Sequence, residues 1–236
     1  MAQLAGTVLG LSLRAMGSAA PVPAPAVRAV TGHGLAGDRH ADSRSPRQVL
    51  LAGAGVYAEL ALPAHSLREN LLLDIDTAAL ESGMLLRVGS EAILRLSFQC
   101  EACGALTARI GSSPRSLLAR RGMLARVESG GEIRMGDAVA ILDRRRAALP
   151  EDWRARVAMV IDAVPPGMVI GYAELARVAG IQSSYCRAFP RVLAALGPQL
   201  AARAVPARAD NPLPRWDGAG FFDDKGLASG FSRPAC

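Results

Sequence analysis

The sequence predicts two domains, a β-rich barrel followed by a small, mainly α domain of helix-turn-helix type. Three observations carry this. Up to about residue 143, short apolar runs of strand length recur between Gly, Asp and Ser. The stretch RRRAALPED at 144–152 then interrupts them with a charge run, a proline and an acidic pair, as a linker leading into a helix start does. Beyond it, apolar residues fall at helical spacing. The expected domains are 1–146 and 153–236.

Residues 4–13 (LAGTVLGLSL) read as a first strand and 17–27 (GSAAPVPAPAV) as a Pro/Ala loop that cannot be a helix interior. TGHGLAGDRHADSRSPRQ follows, polar and with three glycines; a loop of this length in a folded domain usually carries function. Strands are expected at 48–52, 69–75, 84–88, 91–97 and 137–142, with SGMLLRVGSEAILRLS forming a hairpin on a Gly-Ser turn. Helices are expected at 54–61 and at 114–121, where a proline stands early and leucines share one side. In the second domain Trp153, Val157, Val160, Ile161 and Val164 make one apolar stripe of a helix over 153–164. PPGMVIGY is a turn and a short strand, and 173–179 and 184–196 are two short helices joined by a glycine-containing turn. The tail from 205 has little periodicity.

Half of the 236 residues are hydrophobic and a fifth are charged, as in ordinary globular proteins. Aromatics make up only 4%, so Ala, Leu and Val must fill the core. The formal charge is +6, spread over both halves, and Lys225 is the one lysine. Neither half is basic enough for charge alone to imply a nucleic acid. The apolar stretch 5–30 is broken by prolines and follows a start without a basic residue, unlike a signal peptide. With no run near the length of a membrane span, a cytoplasmic location is expected. There, cysteines are more often reactive or metal-binding than bridged.

SFQCEACGAL is the strongest local signal. Cys100 and Cys103 put two sulfurs on a tight turn, which can ligate a metal, form a reversible disulfide or carry a persulfide. A zinc site would need two more ligands, and His33, His40 and His65 are at hand only with irregular spacing. Two cysteines packed as small apolar residues are the bland alternative. In GLAGDRHAD, Gly34 and Gly37 permit close backbone approach, and Asp38, Arg39 and His40 set an anion, a fixed cation and a titratable ring side by side. Arg39 and Arg47 can hold an oxyanion in bidentate fashion, although a loop stitched by its own Asp–Arg pairs would look the same. In LRENLLLD, Arg68, Glu69 and Asn70 stand at a strand mouth, where polar residues line pockets or pair locally.

GLAGDRHADSRSPRQVLL, LRENLLLDI, GMLLRVGSEAILRLSFQCEACGAL and RRGMLARVESGGEIRMGDAVAIL together resemble a MOSC domain, the family named from the C-terminal domain of molybdenum cofactor sulfurases, over about residues 5–143. The resemblance implies a β-rich barrel and molybdenum-cofactor or sulfur-carrier chemistry; some stand-alone relatives detoxify N-hydroxylated bases. Carried over by position, Gly37, Asp38, Arg39 and His40 would line the pocket, and Arg47, Arg68 and Asn70 would meet the pterin phosphate or its neighbours. Cys103 or Cys100 would be the reactive cysteine, with Cys103 the favoured molybdenum ligand. The aminotransferase-like domain of full sulfurases has no room here, so sulfur would come from a donor such as a cysteine desulfurase.

VAMVIDAVPPGMVIGYAELARVAGIQSSYCRAFPRVLAAL resembles the DNA-binding domain of alkylguanine-DNA alkyltransferases and alkyltransferase-like proteins. The resemblance implies DNA binding through 153–236. Tyr172 would disturb the target phosphate, Arg187 would replace a flipped base, and Trp216, with Phe221 and Phe222, would wall a pocket for it. The family's Pro-Cys-His-Arg motif is missing, and no histidine lies beyond His65, so alkyl transfer is not expected. Cys186 and Cys236 read as incidental. Three functions compete: a cofactor-binding or persulfide-carrying protein acting on modified bases, a non-catalytic DNA-damage recognition protein whose MOSC part is a scaffold, and a dedicated sulfur carrier whose second domain docks a protein partner.

Overall fold

Strand β1 (Ala2–Leu13) closes the barrel, because it changes partner half-way. Its first half pairs antiparallel with β11 (Ala138–Arg145) and its second half with β6 (Leu71–Leu73), with register shifts at Leu4/Gly6 and Val8/Gly10. Such bulges bend a long strand enough to serve two neighbours. Between these neighbours the ring runs through β5 (Val49–Gly53), β9 (Met123–Ser129), β8 (Ala92–Gln99) and β7 (Met84–Val88), giving a closed seven-stranded barrel. Within this ring, among the described residues, only β5 and β6 pair in parallel. The short β2 (Val22–Pro23) adds to the end of β1. β3 (Ala26–Val30), β4 (Gly34–Leu35) and β10 (Gly131–Arg134) form a separate three-stranded sheet. The computed structural model describes residues 2–18, 20–101, 106 and 120–223.

The barrel fills with aliphatic side chains, among them Val8, Leu51, Leu73, Leu86, Leu94 and Val127, as the scarcity of aromatics required. The hairpin 84–97 forms as expected, with Val88 opposite Ala92. Helix α1 (Ala54–Glu59) follows β5 directly. The expected helix at 114–121 lies outside the described residues apart from its last two. Five strands of the first unit were not anticipated: β2, β3, β4, β9 and β10. β3 begins at Ala26, inside the stretch read as a Pro/Ala loop, whose composition hid it. In β9 the alternation is broken by Arg126, which is 8% exposed and directs its guanidinium to the carbonyls of Gly32 and Ser43. The strand expected over 69–75 is shorter, because Arg68 takes a left-handed backbone (φ 65°) and Asn70 completes the β5 ladder with its side chain, whose Oδ1 accepts from the Leu50 N–H at 3.0 Å.

The chain divides into two compact units, residues 1–43 with 47–149 and residues 44–46 with 150–236. In the second, α2 (Trp153–Asp162) starts on Asp152, whose carboxylate accepts from the backbone N–H of Arg154 and Ala155. Val157, Val160, Ile161 and Val164 are buried on the predicted stripe. Arg156 joins them at 2% exposed, its guanidinium donating to the carbonyls of Ala179, Pro150 and Glu151. β12 (Val169–Gly171) leads into α3 (Tyr172–Val178). The helix expected over 184–196 is instead a 3₁₀ segment, Ser183–Ala188, followed by α4 (Phe189–Ala195). Pro190 has no N–H to offer the Cys186 carbonyl, so one α ladder cannot run across it. After α5 (Pro198–Ala201), β13 (Ala204–Val205) and β14 (Arg215–Trp216) pair in parallel with β12, a small sheet that the tail's composition concealed. Among the described residues no helix is long and apolar enough to cross a membrane.

Candidate functional site

The polar loop after β4 is organised by one carboxylate. The Asp38 side chain has no exposed surface and accepts four hydrogen bonds. Oδ2 takes the Arg14 N–H at 2.9 Å and the Asn70 Nδ2 at 2.9 Å. Oδ1 takes the His40 N–H at 2.8 Å and its ring Nδ1 at 3.0 Å. Burial opposes the charge on Asp38, but the hydrogen bonds from the His40 ring and from the Arg14 and His40 backbone outweigh it and hold the carboxyl below the usual range. Asn70 is 6% exposed and ties this knot to the barrel, since its Nδ2 also reaches the Ser12 carbonyl at 3.2 Å. Gln48, fully buried, pins the loop from below by donating to the carbonyls of Gly32 and Asp42.

Arg14, at the end of β1, was not anticipated as a site residue. Its Nη2 lies 2.7 Å from His40 Nε2, and its Nε has no hydrogen-bond partner among the described residues. The guanidinium pKa is lowered to about 10, first by partial burial and then by the charges of Arg68 and Arg39; Asp38 acts in the opposite sense and Arg121 adds a smaller push. The charges of three further guanidinium groups thus act on Arg14, and the buried carboxylate of Asp38 opposes them. This arrangement suits an anion with several oxygens.

Cys100, at the end of β8, is 2% exposed, and the Arg47 Nη2 lies 3.9 Å from its sulfur. Arg121 connects the two regions, because its guanidinium donates to the carbonyl of Glu101, the residue after Cys100. Cys103 lies outside the described residues. Of the predicted residues, the fold brings Asp38, Arg39, His40, Arg68 and Asn70 to Arg14, and Arg47 to Cys100. Gly37 is exposed in the same loop; at φ 80° a Cβ would meet nothing, so its glycine serves the left-handed turn and not a close approach. Gly34 does make such an approach, to Ala41 and Gln48. Arg14 and Arg121 lie far in sequence from the polar loop, and no local pattern marks them.

Among the described residues no group of three or more His, Cys, Asp and Glu could hold a metal ion, and Cys103, which the zinc alternative requires, lies outside them. His40 is engaged by Asp38 and Arg14, whereas His65 lies 3.3 Å from a different carboxylate, Glu69.

In the second unit Tyr172 is half-buried, edge-to-face on Phe189 with centroids 5.3 Å apart, and burial raises its pKa. Arg187 is exposed on the 3₁₀ segment. The preceding Cys186 is 3.5 Å from the Tyr172 carbonyl, so the two predicted DNA contacts share one corner. Burial raises the Cys186 thiol pKa, which disfavours a reactive thiolate. Trp216 packs beside Phe221. It is 7% exposed, its indole N–H bonds the Ala219 carbonyl at 3.0 Å, and its ring meets Phe221, itself 2% exposed, because β14 is drawn into the small sheet.

Residues 45–140 match the family described as MOSC domain. The segment includes Arg47, Arg68, Asn70 and the cysteine pair, while Arg14 and Asp38–His40 precede it. The solved structure of the YuaD protein from Bacillus subtilis is 19% identical, with a TM-score of 0.51 over 60% of this chain and 98% of that one. YiiM from Escherichia coli is 19% identical with a TM-score of 0.47, over 83% of this chain and 94% of that one. YiiM from Geobacillus stearothermophilus is 14% identical with a TM-score of 0.47, over 81% and 99%. The YuaD likeness speaks for the fold alone. No curated protein matches the chain.

Proposed function

We propose, with a MOSC-type barrel as the premise, that the first unit binds the molybdenum cofactor through the arginines around Arg14 and uses a cysteine of the Cys100–Cys103 pair in its chemistry. The observation that carries this reading is the Arg14 guanidinium, crowded by Arg68, Arg39 and Arg121 and with its Nε unengaged. A phosphate there would neutralise mutual repulsion that the folded protein otherwise bears. Asp38 holds the loop that presents Arg39 and His40, and Asn70 holds Asp38 to the barrel. Arg47 sets a guanidinium 3.9 Å from the Cys100 sulfur. The cofactor, when bound, supplies a redox-active metal centre.

Either cysteine can serve as its sulfur ligand or as a persulfide carrier. In the second role a cysteine thiolate attacks the outer sulfur of a donor persulfide, such as that of a cysteine desulfurase. A new S–S bond forms, the donor S–S bond breaks, and the donor leaves as thiolate.

The test is metal, pterin and persulfide analysis of protein made in a host competent for molybdopterin. Wild type should carry pterin, Arg14→Ala with Arg68→Ala should carry at least tenfold less, and Cys100→Ser or Cys103→Ser should lose metal or persulfide while keeping pterin. Wild-type protein with neither pterin nor a cysteine-dependent persulfide overturns the proposal.

A second reading concerns residues 150–236. The corner shared by Tyr172 and Arg187 favours a nucleic-acid contact there. Binding to a duplex carrying a modified guanine should weaken with rising salt and fall at least fivefold in Arg187→Ala. No binding at low salt removes this reading.

A further inference from the structure

Consecutive residues on the segment entering β6 serve opposite electrostatic roles. Asn70 turns to Asp38 in the arginine-rich site, whereas Glu69 lines a separate cavity of about 430 Å³ on the barrel wall. The other walls of this cavity are almost entirely apolar and include Leu9, Leu11, Pro23, Leu62, Leu72 and Met135. Two of them, Leu9 at 43% and Met135 at 57% exposed, are among the few large hydrophobic side chains that face solvent. An apolar rim of this kind marks a place where something binds.

Glu69 is 1% exposed. The Tyr57 hydroxyl donates to its Oε2 at 2.5 Å, and burial together with the Glu69 charge keeps that hydroxyl protonated by raising its pKa far above the ordinary value. Oε1 accepts no hydrogen bond among the described residues. The His65 Nδ1 lies 3.3 Å from Oε1, on a ring that is charged only when protonated. A buried carboxylate with one neutral donor and one unsatisfied oxygen is costly to fold. The residues that place it are themselves held in rare backbone conformations, with φ 58° at His65 and 65° at Arg68.

We propose that this cavity binds a small organic cation with an apolar body, a primary ammonium or amidinium on an aliphatic or aromatic frame. The cation's N–H groups complete Glu69 Oε1, and its frame covers Leu62, Leu72 and the exposed rim. The charge preference is opposite to that of the arginine site, so the two sites take different ligands, and the proposal stands independently of the cofactor reading.

The test is a titration of the full ¹⁵N-labelled chain with benzylammonium and, separately, with the neutral benzyl alcohol. Benzylammonium should saturate shifts of the Leu11, Leu62, Glu69 and Leu72 amides with a Kd at least tenfold below that of the alcohol. Glu69→Gln should remove the difference. Leu9→Trp, at an exposed position, should weaken both probes severalfold and decides the matter if Glu69→Gln fails to fold. Equal affinity of the two probes, shifts centred elsewhere, a charge preference that survives in folded Glu69→Gln, or unchanged binding in Leu9→Trp overturns the proposal.

Discussion

The Nη2 of Arg14 stands 2.7 Å from the Nε2 of His40, and this pair dictates the tautomer of the ring. A guanidinium can only donate, so Nε2 accepts and the proton sits on Nδ1, which donates to Asp38 Oδ1 at 3.0 Å. A cation, a neutral ring and a carboxylate are thus arranged in series. Long-range ¹H–¹⁵N correlation at neutral pH should find the Nδ1–H tautomer of His40. In Arg14→Ala the ring should become a mixture of both tautomers.

Asp38→Asn tests the knot. The carboxylate accepts from four donors, and an amide nitrogen would face at least one of them donor to donor. The expected loss is about 3 kcal/mol, in the range for a buried charged acceptor removed from its partners, and chemical denaturation of the barrel reads it.

The depressed pKa of Asp38 also sets a pH dependence. A carboxyl whose folded pKa lies below its unfolded value stabilises the fold above the unfolded value, and that contribution disappears as pH falls through the folded one. Wild-type stability should therefore drop from about pH 4 downward. The difference between wild type and Asp38→Asn should shrink over the same window. A difference that stays constant from pH 6 to pH 2 would contradict the assignment.

Two glycines separate conformational from steric demand. Gly37 has φ 80° with open space around it, so Gly37→Ala should cost about 1 kcal/mol, the strain of a left-handed alanine. Gly122 has φ 119°, and a Cβ there would overlap the carbonyl of Leu51 inside the barrel. Gly122→Ala should cost several times more, or prevent folding, as thermal melts of the two variants would show.

Arg156 predicts a loss confined to the second unit. Its guanidinium satisfies three carbonyls from a position that is 2% exposed. Arg156→Met should destabilise that unit by about 2–4 kcal/mol, and Arg156→Lys should rescue little, because one ammonium cannot reproduce the planar fork. Both tryptophans, Trp153 and Trp216, lie in this unit, so their fluorescence follows its unfolding separately from the barrel.

Periodicity and punctuation in the sequence by themselves determined β1, β5, the 84–97 hairpin, β11 and the buried stripe of α2, because each is a local pattern of apolar residues and breakers. The proximity of Asp38, His40 and Asn70 at one knot, and of Arg47 to Cys100, was not set by such local patterns alone. β9 and Arg156 were not legible in the sequence, because a buried arginine reads as a surface residue until the carbonyls that accept from it are known. Pro190 was visible, but its effect on the helix needed the backbone path. Arg14 met the polar loop only when the end of β1 came beside the loop after β4, and the burial of Trp216 followed only when β14 paired with β12. The sequence determined which chemistry-bearing groups the chain possesses. Only the tertiary structure decided which of them share a dielectric environment, because charge–charge and hydrogen-bond energies depend on distances of a few ångströms between residues far apart along the chain.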